Sequence, residues 1–396
     1  MAVPTYGIDF AIRFVKAQPP TSAAFRFKVF LSFAIIFPFS KQLYFNLPYS
    51  DDKSILYFAR KFNSKVPKLR KIMSLKVSNL SKKYDDKWIL KDVSFEARPG
   101  QVTGVFGATS AGKTTLIRIL SGKENCSGGE IFEDARDVSS LSCEERGFHL
   151  PNLKNDSFWK SLFKTNNKSE LSDGDGQILA LEQSLNEAEG ILLLDDTFCF
   201  MDRQKRDIYF ARLREVTKEK NLTVIFATND FEEVFAACDA VAILAKGEIQ
   251  QTGAPREIYE NPANARIADI TGKNNLIIAR RLTSNKAELP EFQTLVGEHH
   301  LFTARTEKHS LGALTQNVCL AIRPEHISIS FGASFPEDNL LKATIAGINY
   351  KGATTLIKLD ADGLFLEALV LRLVGLNLGD ECMVGLPPDR VLVLKD

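Results

Sequence analysis

The sequence lacks any excess of charge of one sign and has few cysteines. Its 396 residues carry 50 Lys and Arg against 49 Asp and Glu, so its charge balance does not favour a nucleic acid or an acidic surface as a partner. The six cysteines are scattered singly, without the close pairs that a zinc site needs. We therefore expect reduced structural thiols and no nucleic-acid partner.

An apolar run of membrane-spanning length is also missing. The run over residues 29–37 is flanked by Lys28, Pro38 and Lys41, so it falls short of the roughly 20 residues that a spanning helix requires. It lies in residues 1–72, which are basic, rich in Phe and poor in acidic residues. We interpret residues 1–72 as an extension outside the main domain, of the kind that a misassigned start produces. The alternative is a membrane-surface anchor.

One stretch follows an apolar run at residues 102–106 and precedes an apolar segment of helical character. Its spacing, G-x-x-x-x-G-K-T between a strand and a helix, is that of a phosphate-binding loop. Glycines let backbone N–H groups turn towards phosphate oxygens, Lys113 reaches the β- and γ-phosphates, and Thr114 ligates Mg²⁺ at the helix N-terminus. The predicted phosphate-binding residues are Gly107, Ala108, Thr109, Ser110, Ala111, Gly112, Lys113, Thr114 and, in the helix, Thr115.

Strands and helices alternate after this loop. The apolar run at residues 191–194 suits a central parallel strand, and it ends in Asp195 and Asp196. A second run, residues 223–227, leads to Asn229. The alternation predicts an α/β fold with a mostly parallel sheet. An acid at the end of such a strand lies beside the phosphate loop, where Asp195 can hold Mg²⁺ through water and Asp196 can face an attacking water.

Further motifs follow one another in a fixed order. From Met73 to the C-terminus the chain resembles an ATP-binding cassette (ABC) ATPase, and more narrowly the ATPase subunits of sugar, polyamine or glycerol-type importers. The resemblance implies a P-loop NTPase fold with a RecA-like ABC core, with ATP and Mg²⁺ as cofactors. The motifs are L-K-D-V-S-F at residues 90–95, L-S-D-G-D at residues 171–175, Asp202, F-E-E-V at residues 231–234, K-G-E at residues 246–248 and I-Y-E-N-P-A-N at residues 258–264.

The resemblance also assigns roles to single residues. Tyr84 takes the place of the aromatic that stacks on adenine, although it could be an ordinary turn tyrosine. Asp196 takes the place of the acid that polarises the hydrolytic water, and Asn229 that of a histidine contacting the γ-phosphate. Asn152 stands at the Q-loop position, where it joins Thr114 and Asp195 as a predicted metal residue. The implied catalytic residues are therefore Asp196 and Asn229.

Beyond about residue 275 the pattern changes to short strands with glycine turns, and residues 320–327 read L-A-I-R-P-E-H-I. This resembles the I-R-P-E-H element of the small C-terminal OB-like (TOBE) barrel of importer ATPases. We expect an N-terminal extension at 1–72, an ATP-binding domain at 73–272 and an all-β domain at 273–396, which serves dimerisation or regulation, or is only a scaffold. His299 and His300 lack a partner at metal-ligand spacing in the sequence, so we interpret them as a solvated loop.

The resemblance implies partners and a location as well. These are transmembrane ABC permease subunits and a second ATPase subunit, in a homo- or heterodimer, at the cytoplasmic face of the plasma membrane as a peripheral protein. The transported solute is not encoded in such a subunit. We expect the chain to bind Mg-ATP and to power solute transport.

Departures from the family pattern concentrate on catalytic positions. Asp196 is one methylene shorter than the usual glutamate, and Asn229 cannot become cationic. Asp173 and Asp175 bring carboxylates into the signature loop, and few residues separate Asn152 from Leu171, which shortens the predicted helical subdomain. We therefore expect weak hydrolysis. The alternative function is a degenerate, non-hydrolysing structural or regulatory ATP-binding cassette; tandem cassettes or coiled insertions, expected of a translation or DNA-repair cassette, are missing.

Overall fold

The computed structural model describes residues 13–16, 27–30, 73–151, 173–199, 201–283, 289–304, 311, 313–331, 338–371 and 375–394. The chain forms two units, Met1–Leu69 and Arg70–Asp396. In the first unit, β1 (Arg13–Lys16) pairs antiparallel with β2 (Phe27–Phe30). Within the described ranges, every helix is too short or too polar to cross a membrane.

The central sheet of the second unit is buried on both faces. In β8, Leu192 and Leu194 pack into one core, while Ile191 and Leu193 pack into the other. This two-sided burial explains the uninterrupted apolar runs and confirms the predicted parallel sheet. The strand order is β11-β10-β5-β9-β8, in which β11 runs antiparallel to β10 and the other pairs are parallel. The strands are β5 (Gln101–Phe106), β8 (Ile191–Asp195), β9 (Thr223–Thr228), β10 (Ala240–Ala245) and β11 (Glu248–Gly253).

A four-stranded sheet, ordered β4-β3-β6-β7, shares the core on one side of the central sheet with helix α1. Its first two strands pair antiparallel and are joined at Asp85 and Asp86. The strands are β3 (Leu75–Tyr84), β4 (Lys87–Ala97), β6 (Gly128–Glu133) and β7 (Arg136–Asp137).

Helices cover the other face of the central sheet. Residues of α3, α4, α5, α6 and α7 contribute to one continuous core there. The shortened helical subdomain predicted between Asn152 and Leu171 lies outside the described residues. The helices are α1 (Lys113–Leu120), α2 (Cys143–Arg146), α3 (Asp173–Glu187), α4 (Arg203–Lys220), α5 (Phe231–Ala237), α6 (Pro255–Glu260) and α7 (Ala265–Ile270).

The C-terminal part is all-β, as predicted. Two five-stranded antiparallel sheets, ordered β14-β13-β12-β15-β21 and β16-β20-β17-β18-β19, share one apolar core. A single turn of 3₁₀ helix, Pro324–His326, precedes β16. The strands are β12 (Asn275–Arg281), β13 (Glu291–Thr294), β14 (His300–Phe302), β15 (Asn317–Ile322), β16 (Ser328–Ser330), β17 (Asn339–Tyr350), β18 (Thr355–Ala361), β19 (Leu364–Val370), β20 (Glu381–Leu386) and β21 (Leu392–Leu394).

Arg323 joins the all-β part to the α/β part. Its side chain is buried, and its guanidinium donates hydrogen bonds to the carbonyl of Ala268 (3.1 Å), the carbonyl of Tyr259 (2.9 Å) and the hydroxyl of Thr271 (3.0 Å). The guanidinium carbon also lies 3.8 Å from the centroid of the Tyr259 ring. The Tyr259 hydroxyl in turn donates to Glu325 (2.6 Å). The I-R-P-E-H element therefore forms the joint between the last helices of the α/β part and the β sheets.

Candidate functional site

The loop between β5 and α1 has a backbone that two glycines make possible. Gly112, immediately before the helix, has φ of 107°, and a Cβ there would lie 2.7 Å from Cδ2 of Leu90. A Cβ on Gly107 would clash with the carbonyl oxygen of Leu244. Both positions therefore require glycine, since any larger residue meets neighbouring atoms or adopts a strained conformation.

Lys113 is anchored inside this loop. Its side chain is buried, and Nζ donates hydrogen bonds to the carbonyls of Gly107 (2.8 Å) and Ala108 (3.1 Å). Burial lowers the pKa of the Lys113 ammonium, while the charges of Asp196 and Asp195 act in the opposite direction. The lysine is thus held across the loop, facing two carboxylates, before any ligand binds.

The tip of the loop is exposed, except at Ala111. Ala111 is buried and donates its N–H to the carbonyl of Ala108 (3.1 Å). Ser110 has φ of 66°, a left-handed conformation that turns the chain sharply. Ala108, Thr109 and Ser110 are exposed, and Thr115 is half-buried in the first turn of α1.

Two oxygen ligands suited to a divalent cation meet beside the loop. The Thr114 hydroxyl donates a hydrogen bond to Asp195 Oδ1 (3.3 Å) from the first turn of α1. Mg²⁺ is usually held by one or two such groups together with phosphate oxygens and water. The described ranges contain no cluster of three or more His, Cys, Asp and Glu that could hold a metal ion.

Asn152, the third predicted metal residue, lies outside the described residues. The chain leading to it is described: His149 donates its N–H to the carbonyl of Ile191 (2.9 Å) and accepts from the N–H of Leu193 (2.8 Å). His149 therefore forms a parallel bridge with Leu192 of β8.

The two predicted catalytic residues also lie at this edge. Asp196 follows β8 with φ of 46° and donates its N–H to the carbonyl of Ala227 (3.0 Å). Burial lowers the pKa of Lys113 and the charge of Asp196 opposes that shift, so the Asp196 carboxylate lies near the loop. Asn229 is exposed just beyond the end of β9. The carboxyl ends of parallel strands thus bring Asp195, Asp196 and Asn229 to the phosphate loop.

Two family models match the chain. The model described as ABC transporter matches residues 90–153, which include the phosphate loop, and the TOBE domain model matches residues 320–394, which include Arg323. The chain thus carries an ABC transporter domain and a TOBE domain. The family resemblance and the fold class expected from the sequence are thereby confirmed.

Two relatives are similar over most of their length. The spermidine/putrescine import ATP-binding protein PotA of Haemophilus ducreyi is 28% identical over 336 residues, covering 75% of this chain and 89% of the relative. The protein of the same name from Methylococcus capsulatus is 29% identical over 319 residues, covering 71% and 81%. A solved nucleotide-free ATP-binding cassette from an ABC transporter covers 51% of this chain and 100% of that chain, at 17% identity and a TM-score of 0.44.

Tyr84 of the cassette is fixed by neighbours that the sequence did not indicate. Its hydroxyl bonds the Glu124 carboxylate, which also pairs with Lys82 Nζ at 3.0 Å. That nitrogen lies 4.9 Å from the centroid of the Tyr84 ring, which is 41% exposed. The bond to Glu124 and burial raise the pKa of Tyr84, and the nearby Thr115 hydroxyl lowers it. Tyr84 thus lies beside the first turn of α1 with part of its ring open, as base stacking would need.

Arg146 is a second residue of the cassette that sequence reasoning missed. It is buried, and its guanidinium donates to the carbonyls of Ile119 (2.6 Å) and Leu120 (2.9 Å) at the end of α1. It also donates to the carbonyls of Ser139 (2.7 Å) and Leu141 (2.9 Å). No local pattern marks this arginine, because its acceptors belong to separate segments.

The signature loop is described only from Asp173, where α3 begins. Leu171 and Ser172 lie outside the described residues. The D-loop residue Asp202 caps α4, since its carboxylate accepts the N–H of Lys205 (2.9 Å).

The histidine pair of the TOBE domain differs from its interpretation as a solvated loop. His300 is exposed, but its Nδ1 lies 2.7 Å from the Glu291 carboxylate, and His299 Nε2 lies 3.0 Å from the Ala361 carbonyl. Strand pairing between β13 and β14 brings Glu291, nine residues away in the sequence, alongside His300.

Proposed function

We propose that this protein is the ATP-binding subunit of an ABC-type importer, which binds Mg-ATP at residues 107–114 to power solute transport with weak hydrolysis. The observation that carries this proposal is the anchored Lys113, 2.8 Å from the Gly107 carbonyl, beside a Thr114–Asp195 pair 3.3 Å apart. Phosphate groups need an ammonium and backbone N–H donors arranged in this way. The import ATP-binding proteins found as relatives support the transport role.

Thr114 and Asp195 are the residues that would hold Mg²⁺, with Asn152 as a third. A bound Mg²⁺ neutralises charge on the phosphates. Tyr84 stacks on the adenine, and Lys113 takes the β- and γ-phosphates when it exchanges its bonds to the loop carbonyls. The helix α1 presents its positive end to the phosphates.

Hydrolysis is weak in this proposal because two residues at the γ-phosphate are shortened or uncharged. Asp196 positions the attacking water from a carboxylate one methylene shorter than glutamate, so the productive hydrogen bond is harder to form. Asn229 donates a hydrogen bond to the γ-phosphate but cannot carry the positive charge that a histidine could.

In this proposal, transport needs partners besides the ATP-binding subunit. These are transmembrane permease subunits and a second ATPase subunit, with the protein peripheral at the cytoplasmic face of the membrane. The relatives are named for spermidine and putrescine import, which makes polyamines the first solutes to test.

A second candidate function is a structural or regulatory cassette that binds ATP without hydrolysing it. The four replacements at Asp173, Asp175, Asp196 and Asn229 favour it, because they affect both the water-positioning side and the signature side of the cassette in one chain. In a head-to-tail dimer, a normal partner would then leave both ATP sites damaged.

The test is ATP binding followed by single-turnover hydrolysis with the full chain. Lys113→Ala is the blank and should lose binding, since it removes the only ammonium that the described loop contributes. We expect the wild type to bind Mg-ATP and to hydrolyse it slowly, and Asp196→Glu to hydrolyse it about tenfold faster. Binding without turnover in both proteins would favour the non-hydrolysing cassette, and a wild type that binds no ATP would refute both functions.

A further inference from the structure

Thr228, the residue before Asn229, is held by three separate contacts. Its hydroxyl donates to the Glu233 carboxylate and accepts the N–H of Asp230 (3.1 Å). Its carbonyl accepts the N–H of Gly107 (3.4 Å), the first glycine of the phosphate loop. The position of Asn229 is therefore set by how Thr228 is held between the loop and α5.

Glu233 connects Thr228 to a second helix, α4. Its side chain is buried, and Oε1 accepts a hydrogen bond from Arg206 Nη1 at 3.2 Å. The same nitrogen lies 3.6 Å from Asp230 Oδ2. One guanidinium thus faces the carboxylate of Glu233 in α5 and that of Asp230 at its N-cap. The Glu233 carboxylate also accepts from the Thr228 hydroxyl, and Asp230 donates its backbone N–H to that hydroxyl. Hydrogen bonds between charged groups are stronger than neutral ones, so the guanidinium helps to hold this segment in place.

Arg206 lies in the first turn of α4, the helix that begins after Asp202. Its Nε is buried without a hydrogen-bond partner in the described part of the chain. The two carboxylates therefore orient the guanidinium on one side, while its Nε–H donor on the other side is unsatisfied. Buried donors are usually hydrogen-bonded, so this arrangement does not maximise hydrogen bonding. This favours a role for Arg206 in geometry as well as in stability.

We infer that Arg206, acting through Glu233 and Thr228, is a positioning residue that aligns Asn229 with the γ-phosphate of bound ATP. The inference rests on the proposed ATP site. Arg206 touches no ligand; it links the helix that follows Asp202 to the segment carrying Asn229. The preference for ATP over ADP depends on it, because only ATP has the phosphate that Asn229 faces.

The test measures the affinities of the full chain for Mg-ADP and for a Mg-bound, non-hydrolysable ATP analogue. Arg206→Gln should lower the analogue-to-ADP affinity ratio by about fivefold or more, the usual size of coupling between sites, and leave ADP affinity unchanged. Arg206→Lys should restore part of the ratio because it keeps the charge. In Asn229→Ala, adding Arg206→Gln should change the ratio no further, since both act on one contact.

Two further variants separate alignment from folding. Thr228→Val keeps the side-chain shape but removes the hydroxyl, so it should lower the ratio as Arg206→Gln does, even where the arginine variant fails to fold. Arg212→Gln is the control on the same helix: it breaks an exposed pair with Glu215 (2.7 Å) and should leave the ratio unchanged.

Three outcomes would overturn the inference. The first is an equal loss of analogue and ADP affinity in Thr228→Val. The second is an unchanged analogue-to-ADP affinity ratio in both Arg206→Gln and Thr228→Val, while Asn229→Ala lowers that ratio. The third is an Asn229→Ala ratio equal to that of the wild type. In each of these cases the wild type still binds the ATP analogue, so the proposed function stands. A wild type that binds neither nucleotide would refute the proposed function itself.

Discussion

Single buried cations hold the phosphate loop and its helix in place. Lys113 bonds loop carbonyls, whereas Arg146 bonds the carbonyls of Ile119 and Leu120. The last carbonyls of a helix have no partner within the helix. Burial lowers the pKa of Arg146, which reflects the cost of bringing its charge out of water, and four carbonyl acceptors offset that cost.

Replacing Arg146 by methionine should destabilise the protein strongly. The substitution keeps much of the apolar volume but leaves buried carbonyls unsatisfied, so we expect the free energy of unfolding to fall by about 3 kcal/mol. Urea unfolding monitored by circular dichroism would show a lower midpoint with an unchanged slope. Arg256→Met is the matched control, because the Arg256 side chain is 85% exposed and the loss of its surface pair with Glu260 should cost less than about 0.5 kcal/mol. Equal midpoints for the two variants would contradict this prediction.

Helix α1 is the element on which the candidate site depends, and it is too short to be stable alone. It has eight residues and no side-chain cap at its N-terminus, whereas isolated helices need roughly 12–15 residues to form in water. Its stability comes from packing, because Leu116, Ile117, Ile119 and Leu120 are buried. The loop before it and the arginine after it therefore determine where it lies.

Gly112→Ala should disturb both this helix and nucleotide binding. The new Cβ would lie 2.7 Å from Leu90 Cδ2 at φ of 107°, so we expect a loss of about 1–3 kcal/mol in the free energy of unfolding. Isothermal titration with Mg-ATP should show at least about a tenfold loss of affinity, equal to 1.4 kcal/mol. A Cβ on Gly128 would meet nothing within 4 Å, which makes Gly128→Ala the control. Wild-type affinity in Gly112→Ala would show that the loop tolerates a Cβ there.

On the scale of the whole molecule, the joint at Arg323 connects the cassette to the TOBE domain. Tyr259 lies under the guanidinium and bonds Glu325. Burial, followed by that bond, raises the pKa of Tyr259 from its ordinary value of 10.0 to about 12. As pH rises, the Tyr259 hydroxyl in the folded protein therefore keeps its proton to a higher pH than it does in the unfolded chain.

This difference predicts how the joint responds to alkali. Between pH 10.0 and about 12, the folded protein binds more protons at Tyr259 than the unfolded chain, so its stability falls as pH rises. Tyr259→Phe removes that contribution, and the stability difference between wild type and variant should shrink across this interval. Denaturant midpoints of both proteins at neutral and alkaline pH would measure it. A difference that grows with pH would contradict the raised pKa.

The sequence by itself determined the features that depend on neighbours along the chain. The G-x-x-x-x-G-K-T spacing indicated the loop because its geometry needs glycine at Gly107 and Gly112, and the apolar runs indicated parallel strands because those strands are buried on both faces. Asp195 and Asp196 followed from these, since they end such a strand, whereas Asn229 was predicted from its place in the family pattern. The sequence did not indicate that Lys82 and Glu124 contact Tyr84, or that Glu291 lies beside His300.

Only the tertiary structure decided which distant residues meet. Glu124 lies 40 residues from Tyr84, and Glu233 lies 27 residues from Arg206; the Arg323 joint spans 55 residues to Ala268. A spacing rule covers residues within a turn or a strand, where bond geometry limits their positions. Contacts between segments depend instead on strand order and helix packing, so Glu124, Arg146, Arg206 and Glu233 carry no local sequence mark of their roles.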